Sequence, residues 1–226
     1  MLSKNILVVG ASRGIGAAVA QHFHQQGHHI YAVSRTQAIV GNWIAADIST
    51  AAGIQQVVET IGANPLDALL YMGGVWETNA FTDAFDFQAS PGAETRFVLA
   101  VNVIAPIELT KALAQNLSMT DNPRAIYIGA LTGLDHSASP EVANTASKFG
   151  LRGAVQALRL ALAQEKIGLT VINPGNIATE EVISDIEAGR FPQQVPIPMT
   201  DVIETVEWIL ARSAAVDISE VNLRQK

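Results

Sequence analysis

Short apolar runs alternate with segments of helical periodicity along the 226 residues of this chain. Residues 5–9, Asn-Ile-Leu-Val-Val, have the length and β-branched content of a buried strand. Residues 218–224 alternate apolar and polar side chains, which predicts an edge strand. Residues 50–61 place apolar side chains on one helix face at the i, i+3, i+4 and i+7 positions, namely Ile54, Val57, Val58 and Ile61. The length and this pattern suit one α/β domain over residues 1–226.

Similar patterns predict most of the other elements. Strands are expected at residues 28–33, 43–46, 124–130 and 168–173, and helices at residues 94–117, 141–165 and 200–212. Pro106 is expected to kink the first of these helices. Ser139-Pro140-Glu141 predicts the start of the second, with Ser139 as the N-cap, Pro140 in the first helical position and Glu141 in the first turn.

A glycine-rich turn lies between the first strand and a predicted helix. It reads Gly10-Ala11-Ser12-Arg13-Gly14-Ile15-Gly16. Glycines allow a tight turn and a close approach of backbone to a ligand, and the helix N-terminus offers free N–H groups to a pyrophosphate. We interpret the turn as a dinucleotide-binding βα unit, with residues Gly10, Ser12, Arg13, Gly14, Ile15 and Gly16 at the cofactor. A tight turn that binds nothing is the alternative.

The end of the second strand bears on the choice of cofactor. It reads Ser34-Arg35-Thr36, without the acidic residue that binds the adenosine ribose of NAD in dinucleotide folds. Arg35, with Arg13 in the glycine turn, could instead hold the 2′-phosphate of NADP, because a guanidinium recognises phosphate through two hydrogen bonds. NADP(H) is therefore expected in preference to NAD(H). Two solvated surface arginines are the alternative.

Composition narrows the class of protein. Hydrophobic residues make up 49% of the chain and charged residues 15%, as in globular proteins, and the net charge of −7 argues against a nucleic-acid partner. The absence of cysteine excludes disulfides and thiol catalysis. The first strand begins too early for a signal peptide, and no uninterrupted apolar run reaches about 18 residues. A soluble cytoplasmic protein without membrane contact is expected.

Three segments together resemble the short-chain dehydrogenase/reductase family. They are the G-x-x-x-G-x-G turn, Asn144-Thr145-Ala146-Ser147-Lys148 and Pro174-Gly175, and the resemblance covers nearly the whole chain. It implies a Rossmann-type, doubly wound parallel sheet of about seven strands. It also implies oxidoreductase activity on a small-molecule substrate. A homodimer or homotetramer formed through the two long helices is expected from it too, and a helix face bearing Leu151, Val155, Leu158 and Leu162 is consistent with that.

The resemblance also implies roles for individual residues around the cofactor. Gly73 belongs to the N-N-A-G signature after the fourth strand, residues 67–74, in which Tyr71 and Met72 replace the two asparagines. Asp47 and Ile48 match the residues that hold the adenine, although Asp47 could equally be a loop or cap residue. The Pro174-Gly175 turn closes the nicotinamide pocket, and Thr179 bonds the carboxamide or the pyrophosphate.

The catalytic signature of the family, Y-x-x-x-K, is altered. Lys148 is expected to bind the nicotinamide ribose and Asn102 to help hold a water of the proton relay, but Asn144 stands in place of the tyrosine. Gly129 and Ala130 occupy the positions that correspond to the catalytic serine, and Thr132 carries the nearest hydroxyl in sequence.

An asparagine amide can polarise a carbonyl but cannot deliver a proton at neutral pH, and general acid catalysis is worth about 10²–10⁴ in rate. Tyr71, Asp135 and His136 are the substitute acids nearby. The irregular residues 76–91 could flank a substrate pocket, and residues 180–199 resemble a substrate lid. An NADP(H)-dependent oxidoreductase with a degenerate tetrad is therefore the leading interpretation. A non-catalytic NADPH-binding sensor or partner subunit is the alternative.

Overall fold

The computed structural model describes residues 3–191 and 193–226. Seven parallel strands form one sheet in the order β3-β2-β1-β4-β5-β6-β7. The chain starts in the middle of the sheet, winds to one edge and then to the other, which confirms the doubly wound Rossmann-type α/β fold. The strands are β1 (Asn5–Val9), β2 (His29–Ser34), β3 (Asn42–Ala45), β4 (Ala68–Tyr71), β5 (Arg124–Ile128), β6 (Gly168–Pro174) and β7 (Glu220–Leu223).

Helices cover both faces of the sheet. They are α1 (Gly14–Gln25), α2 (Ala51–Ile61), α3 (Gly92–Leu99), α4 (Ala105–Ser118), α5 (Val142–Ala161), α6 (Glu180–Glu187) and α7 (Met199–Leu210). Successive strand residues point to opposite faces. Leu7 therefore packs in a core with side chains of α2, α4 and α5, whereas Val8 packs in a second core with side chains of α1 and α7.

The register of the strands gathers the site at one edge of the sheet. Val9 at the end of β1 is level with Val33 of β2 and with Tyr71 of β4. Tyr71 is in turn level with Tyr127 of β5. Because the strands are parallel, the turns that follow them meet at the crevice between β1 and β4, where the direction of winding changes and doubly wound folds bind ligands.

The long helix expected at residues 94–117 is not one α-helix with a proline kink. It consists of α3, a π-helical segment at Ala100–Ile104, and α4. Pro106 lies in the first turn of α4, directly after the π-helical segment, where its missing N–H leaves a carbonyl of that segment without an intrahelical partner. The irregularity therefore precedes the proline and surrounds Asn102, as π-bulges often do at functional sites.

Two expectations about α5 are corrected. Leu151 and Val155 are buried in the core and Leu158 packs against it, so this face is not free for a subunit contact. The helix begins at Val142, and Ser139 is not its N-cap, because the Ser139 hydroxyl pairs with the Thr145 hydroxyl at 3.2 Å.

Among the described residues, one helical stretch, Gly92–Ser118, is apolar and long enough to cross a membrane by composition alone, with a mean hydropathy of 1.7. Half of its most apolar 18-residue window is buried inside the protein, as also happens in core helices of globular domains. The expectation of no membrane span, which considered only uninterrupted apolar runs, stays a prediction.

Candidate nucleotide-binding and active site

The glycine turn after β1 is packed against the turn after β4. Gly10 has φ +86°, and a Cβ there would lie 2.6 Å from the Cα of Gly73. The N–H groups of Gly10 and Ala11 both donate to the carbonyl of Val33, at 2.9 and 3.1 Å. Only glycine fits this left-handed backbone at such a close contact, and the turn is thereby fixed to β2 as well as to β4.

The N-terminus of α1 fits a bound pyrophosphate. Arg13, the N-cap residue, makes no side-chain capping bond, and no acidic residue lies in the first turn. A Cβ on Gly14 would meet only the Thr179 methyl group, at 3.8 Å. Unpaired N–H groups and the positive end of the helix dipole therefore face a cleft. Ser12 and Ile15 belong to the same turn, and the Thr179 hydroxyl accepts from the N–H of Val182, which caps α6.

Arg35 and Asp47 lie within electrostatic reach of each other beyond the ends of β2 and β3. Hydrogen bonds from Ser49 to its carboxylate lower the pKa of Asp47, and the positive charge of Arg35 lowers it further. Arg35 is exposed, with its guanidinium 5.9 Å from the centre of the Phe97 ring, and Ile48 packs against the core. Asp47 thus forms the loop turn with Ser49, and Arg35 stays exposed beside it.

Lys148 lies at the centre of the site. It is buried, its Nζ donates to the carbonyl of Ile128 at 3.2 Å, and burial lowers its pKa to about 8. A Cβ on Gly74 would lie 3.3 Å from this Nζ and 3.8 Å from Oδ1 of Asn102. The structure therefore brings the predicted residues Asn102 and Lys148 together at the turn after β4.

Asn102 acts here through its side chain. Its Nδ2 donates to the Val75 carbonyl and to the Ser147 hydroxyl, at 2.8 and 2.9 Å, and its Oδ1 accepts from the Val75 N–H at 3.0 Å. The π-helical segment places this side chain between the turn after β4 and the start of α5. Nothing in the sequence suggested this tie to Val75.

Asn144 lies one helical turn before Lys148 on α5. The residue is buried, and its side-chain amide makes no hydrogen bond to a described residue. Its backbone N–H donates to the carboxylate of Glu77, a residue that no sequence motif marks. An asparagine amide with unused donors and an unused acceptor can polarise a carbonyl group brought next to Lys148.

The end of β5 offers no serine hydroxyl. A Cβ on Gly129 would overlap Oδ1 of the buried Asn173, so this position admits no side chain without rearrangement. Ala130 follows it. The hydroxyl oxygen of Thr132 is buried and has no hydrogen-bond partner among the residues described.

The three residues expected as substitute acids are either buried in the core or exposed at the surface. Tyr71 is buried in the core, where its hydroxyl donates to the carbonyl of Val101 at 2.5 Å and burial raises its pKa well above the usual value. Tyr71 therefore serves the core and not proton transfer, because the strand alternation turns its side chain toward α4. Asp135 is exposed and lies 3.7 Å from Arg152, and His136 is an exposed turn residue with φ +60°.

The expected substrate region contains an aromatic wall, defined here as Trp76, Phe81 and Phe191. The ring centres of Trp76 and Phe81 are 6.0 Å apart, and those of Phe81 and Phe191 are 6.4 Å apart, both edge to face. Phe191 comes from the predicted lid, residues 180–199, which contains α6; Pro192 lies outside the described residues. Trp76 follows Val75 and precedes Glu77, so the wall begins directly beside the residues around Lys148 and Asn144.

The turn after β6 completes the cleft. Gly175, which follows Pro174, donates its N–H to the carbonyl of Leu223 at 2.9 Å, which fixes this turn to β7. Four residues later, Thr179 faces Gly14 of the glycine turn. The fold and this arrangement define a dinucleotide-binding α/β protein.

Comparison with known proteins identifies the family. The family described as short chain dehydrogenase matches residues 4–188, and the chain belongs to it. Carbonyl reductase family member 4 of Danio rerio is 26% identical over 227 residues, which cover 90% of this chain and 92% of that protein. The chain is thus an oxidoreductase of the short-chain dehydrogenase type, and membership supports a nicotinamide cofactor.

Solved structures agree on the fold. 4-Hydroxyisoleucine dehydrogenase complexed with NADH has a TM-score of 0.82 and 21% identity, with 99% of this chain and 97% of that chain covered. ElxO with NADP bound has a TM-score of 0.81 and 18% identity, with coverage of 99% and 98%. These two structures hold different nucleotides, so the fold alone does not select between them.

Proposed function

We propose that this protein is an NADP(H)-dependent oxidoreductase that transfers a hydride to or from a small organic substrate, with Asn144 and Ala130 at the positions of the family's catalytic tyrosine and serine. The observation that carries the proposal is the placement of Asn144. It lies on α5 one turn before the buried Lys148, and its side-chain amide is unused.

The preference for NADP(H) rests on charge at the adenosine end of the cleft. Arg35 follows β2, where NAD-specific folds carry an acidic residue, and Arg13 is the N-cap residue of α1 within the glycine turn. Both arginines are exposed and neither forms an ion pair with a described residue. Their guanidinium groups are therefore free to bind a 2′-phosphate.

The reaction is divided between the cofactor and the residues around Lys148. A bound nicotinamide supplies or accepts the hydride. Lys148 holds the nicotinamide ribose, and Asn144 donates a hydrogen bond to the substrate oxygen or nitrogen. Asn102 keeps the backbone of Val75 in place beside them. Neither Asn144 nor Ala130 can deliver a proton, so water or another group supplies it.

This division favours substrates with a low proton demand. Reduction of an activated double bond or of an iminium ion needs less help from a general acid than reduction of a neutral ketone. The aromatic wall of Trp76, Phe81 and Phe191 offers such a substrate an apolar surface beside Asn144.

Fluorescence titration of the protein with NADPH and with NADH tests the cofactor. We expect tight binding of NADPH and weak binding of NADH. Absence of binding of both at physiological concentrations would overturn the proposal and leave a role in protein interaction. Binding of NADPH without turnover of any substrate class would favour a sensor or a partner subunit.

Restoring the family signature tests the catalytic site. Asn144→Tyr combined with Ala130→Ser should gain carbonyl reductase activity, by about 10²–10⁴ over the unaltered chain, because a general acid is regained. NADPH titration of the double variant shows whether its cofactor site is intact. A double variant that binds NADPH and stays inactive toward carbonyls would contradict the assignment of position 144.

A further inference from the structure

Glu77 caps a helix that lies far from it in the sequence. It belongs to the loop after β4, is 3% exposed, and its carboxylate accepts hydrogen bonds from the N–H of Ala143 at 2.7 Å and of Asn144 at 3.2 Å. These N–H groups belong to the first turn of α5, and the N-cap residue of this helix makes no side-chain capping bond of its own. A carboxylate is favoured at this end of a helix by its dipole.

Glu141 makes the reverse contact. It is the N-cap residue of α5, is 4% exposed, and its Oε1 accepts from the N–H of Phe81 at 2.8 Å. The loop after β4 therefore gives a carboxylate to the helix, and the start of the helix gives a carboxylate to the loop. Phe81 and Asn79 have φ +67° and +58°, a backbone conformation that other contacts must hold in place.

Burying the carboxylates of Glu77 and Glu141 costs more free energy than an ordinary helix cap. Neither carboxylate forms an ion pair with a described residue, and Oε2 of Glu141 has no hydrogen-bond donor among them. A local serine, threonine or aspartate would cap α5 without burying two charged groups. The extra consequence of the observed arrangement is that it connects Asn144 with the aromatic wall.

We propose that Glu77 and Glu141 are positioning residues, which together form a reciprocal carboxylate clasp. The clasp fixes the position of Asn144 relative to Phe81 and Trp76, and so sets the distance between the polarising amide and the apolar surface for the substrate. It acts through the backbone on both sides. Neither carboxylate needs to touch a ligand.

Residue-resolved amide hydrogen exchange of the full chain tests the clasp without any substrate. Glu77→Ala should speed exchange at the amides of residues 143 and 144 about tenfold, the effect of losing a helix cap. It should also speed exchange at Phe81, whose N–H is bonded to Glu141 and not to Glu77. Glu141→Ala should also speed exchange, most strongly at Phe81 and less strongly at residues 143 and 144.

Two further variants make the result decisive. Glu77→Gln keeps the size of the side chain and one accepting oxygen, so it should show the same pattern of faster exchange with a smaller effect. It replaces Glu77→Ala in the experiment if that variant does not fold. Glu94→Gln is the matched control, since Glu94 also accepts from the same loop, at Thr78, but lies at the surface. Faster exchange confined to each variant's own partner, or an equal effect of Glu94→Gln at residue 144, would overturn the clasp.

A kinetic measurement tests positioning and rests on the proposed function. In the Asn144→Tyr, Ala130→Ser background, Glu77→Ala should lower kcat about tenfold and leave the KM for NADPH unchanged, because the glycine turn and Lys148 are untouched. An equal change in both constants would contradict a positioning role. If this background shows no turnover, the proposed function fails, while hydrogen exchange still decides whether the clasp exists.

Discussion

The side-chain amide of Asn102 binds both polar groups of the Val75 backbone, with Nδ2 2.8 Å from the carbonyl oxygen and Oδ1 3.0 Å from the nitrogen. Val75 directly follows Gly73 and Gly74, which lie against Gly10 and Lys148. One asparagine in the π-helical segment thus controls the path of the chain as it leaves the cofactor cleft.

Asn102→Ala should therefore destabilise the protein and weaken NADPH binding. Losing a partner for buried polar groups costs about 1–3 kcal/mol of unfolding free energy, measurable by urea denaturation. Asn116→Ala is the control, because Nδ2 of Asn116 also donates to two backbone carbonyls, those of Gly62 and Asn64, outside the site. Both variants should lose stability, but only Asn102→Ala should bind NADPH more weakly. Equal NADPH affinity in the two variants would contradict this role of Asn102.

Lys148 should make stability depend on pH in alkaline solution. Burial lowers its pKa from 10.5 to about 8 in the folded chain. Between pH 8 and pH 10.5 the unfolded chain therefore binds more protons than the folded chain does. Stability should accordingly rise with pH from about 8 to about 10.5, by at most about 1.4 kcal/mol per pH unit. Below pH 8 the folded chain carries the full cost of a buried charge.

The comparison with Lys148→Met isolates this effect from other titrating groups. Urea denaturation of both proteins at several pH values should show the rise in the unaltered chain and a flatter profile in Lys148→Met. Parallel profiles would show that Lys148 is not desolvated as the structure indicates.

The fold and half of the site follow from local sequence. Apolar periodicity and the glycine turn specify strands and helices within a few residues, and the spacing between Asn144 and Lys148 is a property of one helix. The family resemblance assigns Asn102 to the proton relay, although Asn102 and Lys148 lie in different helical segments, 46 positions apart.

The remainder depends on contacts between distant segments. The bonds from Ala143 and Asn144 to Glu77 join residues 66 and 67 positions apart, and nothing in an irregular loop marks Glu77 as a helix cap. The motif position of Tyr71 marks the end of a strand and does not determine which way the hydroxyl points. Its alternation with Leu70 puts the ring on the α4 side of the sheet.

Gly129→Ala should destabilise the fold by about 1–3 kcal/mol, because a Cβ would overlap Asn173 Oδ1 and crowd Val171 at 2.9 Å. Gly153→Ala is the matched control in α5, where a Cβ meets nothing within 4 Å. It should stabilise the protein by about 0.5–1 kcal/mol, since alanine favours the helix. Urea midpoints that move in the same direction for both variants would contradict the packing described at Gly129.

Arg35→Ala should reduce the affinity for NADPH about tenfold and leave the affinity for NADH nearly unchanged, because only NADPH carries the 2′-phosphate. The size is that of one charge-assisted hydrogen bond. Lys166→Ala removes an equal charge from the turn before β6 and should change neither affinity. A parallel loss of NADH affinity in Arg35→Ala would show that Arg35 supports the adenosine in general and does not select the phosphate.

The chain should form a dimer through the outer face of α5. Val142, Phe149 and Leu160 are exposed, Leu160 by 80%, and their spacing of 7 and 11 residues puts them on one helix stripe. We propose that the stripe meets its copy on a second chain, since cyclic dimers use the same patch twice.

Sedimentation velocity of Phe149→Lys and Leu160→Lys checks this interface. A lysine on the stripe places like charges opposite each other in the dimer and should raise the dimer Kd more than tenfold, about 1.4 kcal/mol or more. Ile39→Lys is the control, because Ile39 is 74% exposed and lies outside the helices. A monomeric unaltered protein would exclude the dimer. A dimer that both stripe variants leave intact would place the subunit contact elsewhere.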